Sequence, residues 1–167
     1  MNNKELEAKA IQYLVSNLTK LGYECTDVHS HRNKGWDLEA KKADVFFPIE
    51  VKSTRAERWS DTNLRFTWQT ICSAYSANYL NQLVLAVVVN ADKDNPTVQY
   101  HRFSDVAGNE LYVEPTFLIQ LNRLKKQGLP TYGTLEEIPA HSLDMMQVVR
   151  NILKTPISEY VNISHPK

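Results

Sequence analysis

The sequence has no apolar run that could cross a bilayer. Its longest, Leu83 to Val89, covers seven residues, against the ~20 that a membrane helix needs. The start, Met1-Asn2-Asn3-Lys4-Glu5, has no signal-peptide apolar stretch, so a cytoplasmic location is expected. Cysteine is scarce. Cys25 and Cys72 cannot build a disulfide framework and lack metal-ligand spacing, which leaves them as small core residues. The five glycines are scattered, which excludes a Gly-rich phosphate loop, and no Gly-x-Ser-x-Gly elbow is present. Net charge is absent too. Nineteen basic and nineteen acidic residues cancel, so any polyanion would have to be held by a local patch. Internal repeats and low-complexity linkers are missing as well.

The 167 residues, 43% hydrophobic and 23% charged, suffice for one globular domain. Ala10, Ile11, Leu14, Val15, Leu18 and Leu21 recur at helical steps between Lys4 and Leu21, with Gly22 as the stop. Strands are predicted at Tyr23–His29, Trp36–Ala40 and Val45–Lys52, with Pro48 near an edge or bulge. Arg55 to Arg65 reads as a charged loop. A second helix starts after Thr67, with an apolar stripe of Trp68, Ile71, Cys72, Tyr75 and Tyr79. Leu83–Val89 suits a strand buried on both faces, and Thr97–Phe103 a returning strand. Helices are predicted at Phe117–Lys126, with Pro115 near its start, and at Leu143–Leu153. The whole chain, 1–167, is read as a single α/β domain with a core of about 4–103 and an accessory helical region of about 104–167.

The chemistry concentrates in Gly35-Trp36-Asp37 and Ile49-Glu50-Val51-Lys52. Alternate residues of a strand share a face, so Glu50 and Lys52 point one way while Ile49 and Val51 anchor the other. A short hairpin would set the Asp37 carboxylate beside that of Glu50. Two adjacent carboxylates repel unless a cation or proton lies between them. Hard oxygen donors favour Mg²⁺ or Mn²⁺, ions that activate water and polarise phosphoryl oxygens.

This pattern resembles the PD-(D/E)xK nuclease superfamily, including its Holliday-junction resolvase-like and restriction-like branches. The resemblance covers roughly Lys4 to Phe103. It implies a restriction endonuclease-like α-β-β-β-α-β core, a central mixed sheet flanked by helices, with C-terminal helical additions. By carry-over, Asp37, Glu50 and the Val51 backbone carbonyl would hold Mg²⁺, with Mn²⁺ as a substitute, and Lys52 would be the catalytic lysine. A helix-1 glutamate is usual in these branches. Glu7, four residues before Ile11, falls on the inward face as a catalytic or metal candidate, whereas Glu5 looks outward. Trp36 stands where the family often has proline. Gln69 corresponds to a glutamine that some branches place near the metal, or is a solvent-facing helix residue.

The resemblance further implies DNA hydrolysis by a Mg²⁺-dependent endonuclease, with a homodimer to cut two strands. Arg32, Lys34, Arg55, Arg58 and Arg65 flank the site and would grip phosphates, or else are solubilising loop charges. His29-x-His31 offers two imidazoles without further zinc ligands and reads as an ordinary loop. The alternative function is a catalytically inactive nuclease-fold subunit that binds DNA, or a protein partner through its C-terminal helices. An unrelated α/β protein would leave Asp37 and Glu50 apart.

Overall fold

Asn2 opens the first helix by accepting the Glu5 N–H at 2.9 Å, while the Glu5 carboxylate accepts the Asn2 N–H at 2.9 Å. This reciprocal cap occupies two donors that would otherwise be orphaned. The computed structural model describes residues 1–30, 34–113, 116–139 and 144–152. Helix α1, Asn3–Lys20, buries Leu6, Ala10, Ile11, Leu14 and Leu18, and Gly22 takes the left-handed φ of 93° just past its end. Strands β1 (Glu24–Asp27), β2 (Leu38–Lys42) and β3 (Val45–Ser53) follow as an antiparallel meander. Next come β4 (Asn63–Thr67), α2 (Trp68–Ser76), β5 (Val84–Val89) and β6 (Thr97–Arg102). The remainder holds α3 (Phe103–Val106), β7 (Leu111–Val113), β8 (Thr116–Gln120), α4 (Leu121–Gln127) and α5 (Met145–Ile152).

The main sheet runs β1-β2-β3-β5-β6, with β3 and β5 parallel and the other neighbours antiparallel. It is the central mixed sheet of an α-β-β-β-α-β core with helices on both sides. Residues Ile49, Val51, Val84, Ala86 and Val88 pack with α1 on one face. Leu85, Val87 and Val89 pack on the other against β4, α2, β8 and α5. All six residues of β5 are buried, as its β-branched run predicts. Pro48 pairs with Glu39 of β2, but β5 begins only opposite Ile49. The proline therefore lies where β3 has one neighbour, and its missing N–H costs no ladder bond.

Several predicted elements need correction. The stretch Arg55–Arg65 is not simply a loop. A 3₁₀ turn, Trp59–Asp61, leads into β4, where Leu64 and Phe66 are buried and Asn63, Arg65 and Thr67 exposed. The predicted helix at Phe117–Lys126 begins as β8, because Phe117 and Ile119 alternate inward, and only then turns into α4. β8 pairs with β4 and β7 in a second, three-stranded sheet. The helical additions exist as α4 and α5, and the sequence reading misses the strands β7 and β8 that precede α4. In α2 the buried face is Thr70, Ile71 and Ala74. Trp68 is 38% and Tyr75 41% exposed, and Cys72 is exposed rather than in the core. Pro115, Leu143 and Leu153 lie outside the described residues. No helix among the described residues is long and apolar enough to cross a membrane.

Candidate active site

Asp37 stands just before β2 and is held by three bonds. Its N–H donates to the Ile49 carbonyl at 3.0 Å, and its carbonyl accepts the Val28 N–H at 2.9 Å. Its carboxylate Oδ2 accepts the Val51 N–H at 2.8 Å. The chain can reach this position only because residue 35 is glycine. A Cβ there would lie 2.5 Å from Thr70 Cα and 2.6 Å from the Gln69 carbonyl, both backbone atoms at the start of α2. Trp36, where the resembled family often has proline, is a core residue at 4% exposure. It packs into the cluster under α2, so it replaces a turn residue with an apolar anchor.

The β3 register puts Glu50 opposite Leu85 and Lys52 opposite Val87, while Ile49 and Val51 face α1. Within a strand, a residue's N–H and C=O point to the same side. The Val51 carbonyl therefore faces the side where Asp37 takes its N–H, beyond Leu38, the last β2 residue in the ladder. Two clefts meet at this point. One, of about 470 Å³, is lined by Glu7, Glu50, Lys52, Thr54, Arg55 and Arg65. The other, of about 230 Å³, includes His29, Lys34, Asp37, Glu50, Arg65 and Gln69. Glu50 and Arg65 belong to both.

The electrostatics are those of a site short of positive charge. Burial pushes the Asp37 carboxyl up to about 6, opposed by the Val51 N–H and reinforced by Glu7. Burial also raises Glu50 well above the usual carboxylate range; Asp37 and Glu7 add to the rise and Lys52 opposes it. Such coupled carboxyls need a proton or a cation. Among the described residues, no three His, Cys, Asp or Glu side chains converge as a ready coordination shell. The oxygen donors available near this point are the carboxyls of Asp37 and Glu50 and the Val51 carbonyl. This composition suits Mg²⁺, which commonly keeps several waters and takes only one or two protein carboxylates.

Other predicted site residues divide. Glu7 is half-buried and lines the cleft, whereas Glu5 is exposed and spent in the helix cap. Lys34 pairs with Glu39 at 3.1 Å and lies over the Trp36 ring. The Arg55 guanidinium donates to the Met1 carbonyl at 2.7 Å, and Arg65 donates to Thr116 Oγ1 at 3.3 Å. Arg58 is not brought in. It pairs with Asp61 at 2.9 Å and lines a separate cleft with Trp59, Gln99 and Lys125. Arg32 and His31 lie outside the described residues. Sequence reasoning missed Thr54 and Thr116, which line the clefts and carry no spacing signal, and also His29, for which the carboxylate of Asp27 two residues before was the available cue.

Glu7, Glu50 and Lys52 thus line one cleft, and Asp37 and Glu50 the adjoining one, on an α-β-β-β-α-β core. The chain belongs to the family described as Protein NO VEIN, C-terminal, whose match spans residues 6–101, more than half of the chain. No curated protein matches it. Among solved structures, it is similar to Hjc, a Holliday junction resolvase from the archaeal hyperthermophile Archaeoglobus fulgidus, at 15% identity and a TM-score of 0.49. That likeness covers 71% of this chain and 88% of that one.

Proposed function

We propose that this protein is a Mg²⁺-dependent endodeoxyribonuclease of the PD-(D/E)xK class. The observation that carries the proposal is the Asp37 carboxylate, fixed on the Val51 N–H at 2.8 Å, together with a Glu50 whose carboxyl is raised well above the usual range by burial and by Asp37. Neutralising that pair with an oxygen-seeking cation is what a phosphodiester hydrolase requires. Asp37, Glu50 and the Val51 carbonyl would hold the ion, which supplies positive charge at the phosphoryl oxygen and acidifies water. Lys52 projects from the same face and orients the attacking water or stabilises the developing phosphorane charge. Arg65, Arg55 and Lys34 line the clefts and provide phosphate contacts. Gln69, at the opening of α2, adds a polar group to the strand path.

An inactive subunit is the second reading, and an apolar groove between α2 and α5 favours it. Trp68, Tyr75 and Met146 are exposed along its rim, as suits a protein partner on the C-terminal helices. A panel of linear, nicked, branched and single-stranded DNA with Mg²⁺ or Mn²⁺ separates the two readings. Cleavage abolished by EDTA supports the nuclease; binding without cleavage under every condition supports the subunit.

The two helix-1 glutamates provide an internal comparison. Glu7 lines the larger cleft with Glu50 and raises the carboxyls of both Asp37 and Glu50, while Glu5 caps the helix. Glu7→Gln should slow cleavage by roughly 10²-fold, the scale of losing one preorganised polar group. Glu5→Gln should cleave as the parent does and lose at most ~1 kcal/mol of stability. Equal, mild losses of activity in both variants would take Glu7 out of the site.

A further inference from the structure

From sequence, His29 has no role beyond that of a loop histidine, yet it lines the smaller cleft with Asp37, Glu50 and Arg65. Its Nδ1 contacts Asp27 Oδ1, and the same oxygen accepts the His29 backbone N–H at 3.1 Å. A carboxylate accepts only, so Nδ1 carries the proton in that contact and Nε2 is the nitrogen left for a ligand. Nothing in the cation chemistry above uses this pair.

The two arms of the cleft supply the second observation. Lys52 lines one arm and His29 the other, and Glu50 and Arg65 stand where they meet. In-line displacement at phosphorus requires the incoming and departing oxygens on opposite sides. A phosphate at the junction would have Lys52 on the side of the incoming water and His29 on the departing side.

We propose that His29, aimed by Asp27, donates a proton to the departing sugar oxygen, a role that rests on the hydrolytic reading of this cleft. The water oxygen forms the new bond to phosphorus as the bond from phosphorus to the sugar oxygen breaks. The electron pair of the broken bond stays on the sugar oxygen, which takes the proton from Nε2. The proton lost by the water passes to solvent, and solvent later reprotonates the imidazole. Supporting this, contact with Asp27 raises the imidazole's proton affinity, as do the charges of Asp37 and Glu7, while burial opposes them. Lys34 and Arg65 are the cations on the same arm.

The test compares two substrates in single turnover with Mg²⁺ and saturating DNA. One is an ordinary duplex. In the other, sulfur replaces the bridging oxygen at the position the wild type cuts, so that the leaving thiolate needs no proton. His29→Ala should slow the ordinary substrate by about 10²–10³-fold, the range of general acid catalysis, and leave the sulfur-bridged one near the wild-type rate. In the metal-free protein, NMR should show His29 titrating at lower pH in Asp27→Asn. Equal slowing on both substrates, or none on either, overturns the proposal, and an unchanged His29 titration in Asp27→Asn removes the aiming role. A wild type that cuts neither substrate overturns the hydrolytic reading itself, and the His29 role with it.

Discussion

Asp37→Asn should lose Mg²⁺-dependent cleavage at every Mg²⁺ concentration, and its metal-free form should be harder to unfold than the parent. The two effects have one cause. Asparagine can still accept the Val51 N–H, so the local fold survives, but it brings no charge to the cation. In the parent, folding raises the Asp37 carboxyl from 3.8 to about 6. A carboxyl raised on folding keeps its proton longer in the native state, so the parent loses stability as pH rises from about 4 through about 6. At ~1.4 kcal/mol per pH unit, discounted for partial exposure, the cost at neutral pH is roughly 1–2 kcal/mol. Removing it should raise the melting temperature at pH 7 by about 3–6 °C. Thermal unfolding across pH checks this. The gain should shrink below pH 6 and vanish near pH 4, and a variant less stable than the parent at pH 7 would contradict the electrostatics.

Lys52→Ala should reduce single-turnover cleavage by about 10²–10³-fold while DNA affinity changes little. Lys52 is one cation among several along the clefts, so one lost phosphate contact weakens a multi-contact interface only slightly. Its place is different, because it shares a strand face with Glu50, whereas Lys34 on the other arm is paired with Glu39. Binding by anisotropy and cleavage at saturating DNA separate the two roles. A collapse of affinity with a normal saturated rate would make Lys52 a phosphate clamp.

The sequence carried the part of the fold that periodicity encodes. The six-residue apolar strand β5 and the stripe of α1 are legible because one physical pattern dominates each. Glu50 and Lys52 are legible for the same reason, alternating with two anchors. What was hidden depended on partners distant in sequence. β4 alternates cleanly at Leu64 and Phe66, but its partner β8 lies over fifty residues on, and the preceding charges disguise it as a loop. Trp68 and Tyr75, seven residues apart, imitate a core stripe; the inward face of α2 is instead Thr70, Ile71 and Ala74, where Gly35 lets the chain approach the helix backbone closely. From sequence His29 reads as an ordinary loop residue, because its place in the cleft beside Asp37 leaves no mark in residue spacing.

Asp37 and Glu50 are proposed to form a divalent-cation site, with carboxyls that burial makes hold protons more tightly than free ones when metal is absent. Isothermal calorimetry of Mg²⁺ binding at pH 7, repeated in buffers of different ionisation enthalpy, tests it without any nucleic acid. One Mg²⁺ should bind with net release of protons, since bound carboxylates must be deprotonated. Both signals should disappear in Glu50→Gln. Absence of Mg²⁺ binding in the parent, or binding that survives Glu50→Gln with the same proton release, would contradict it.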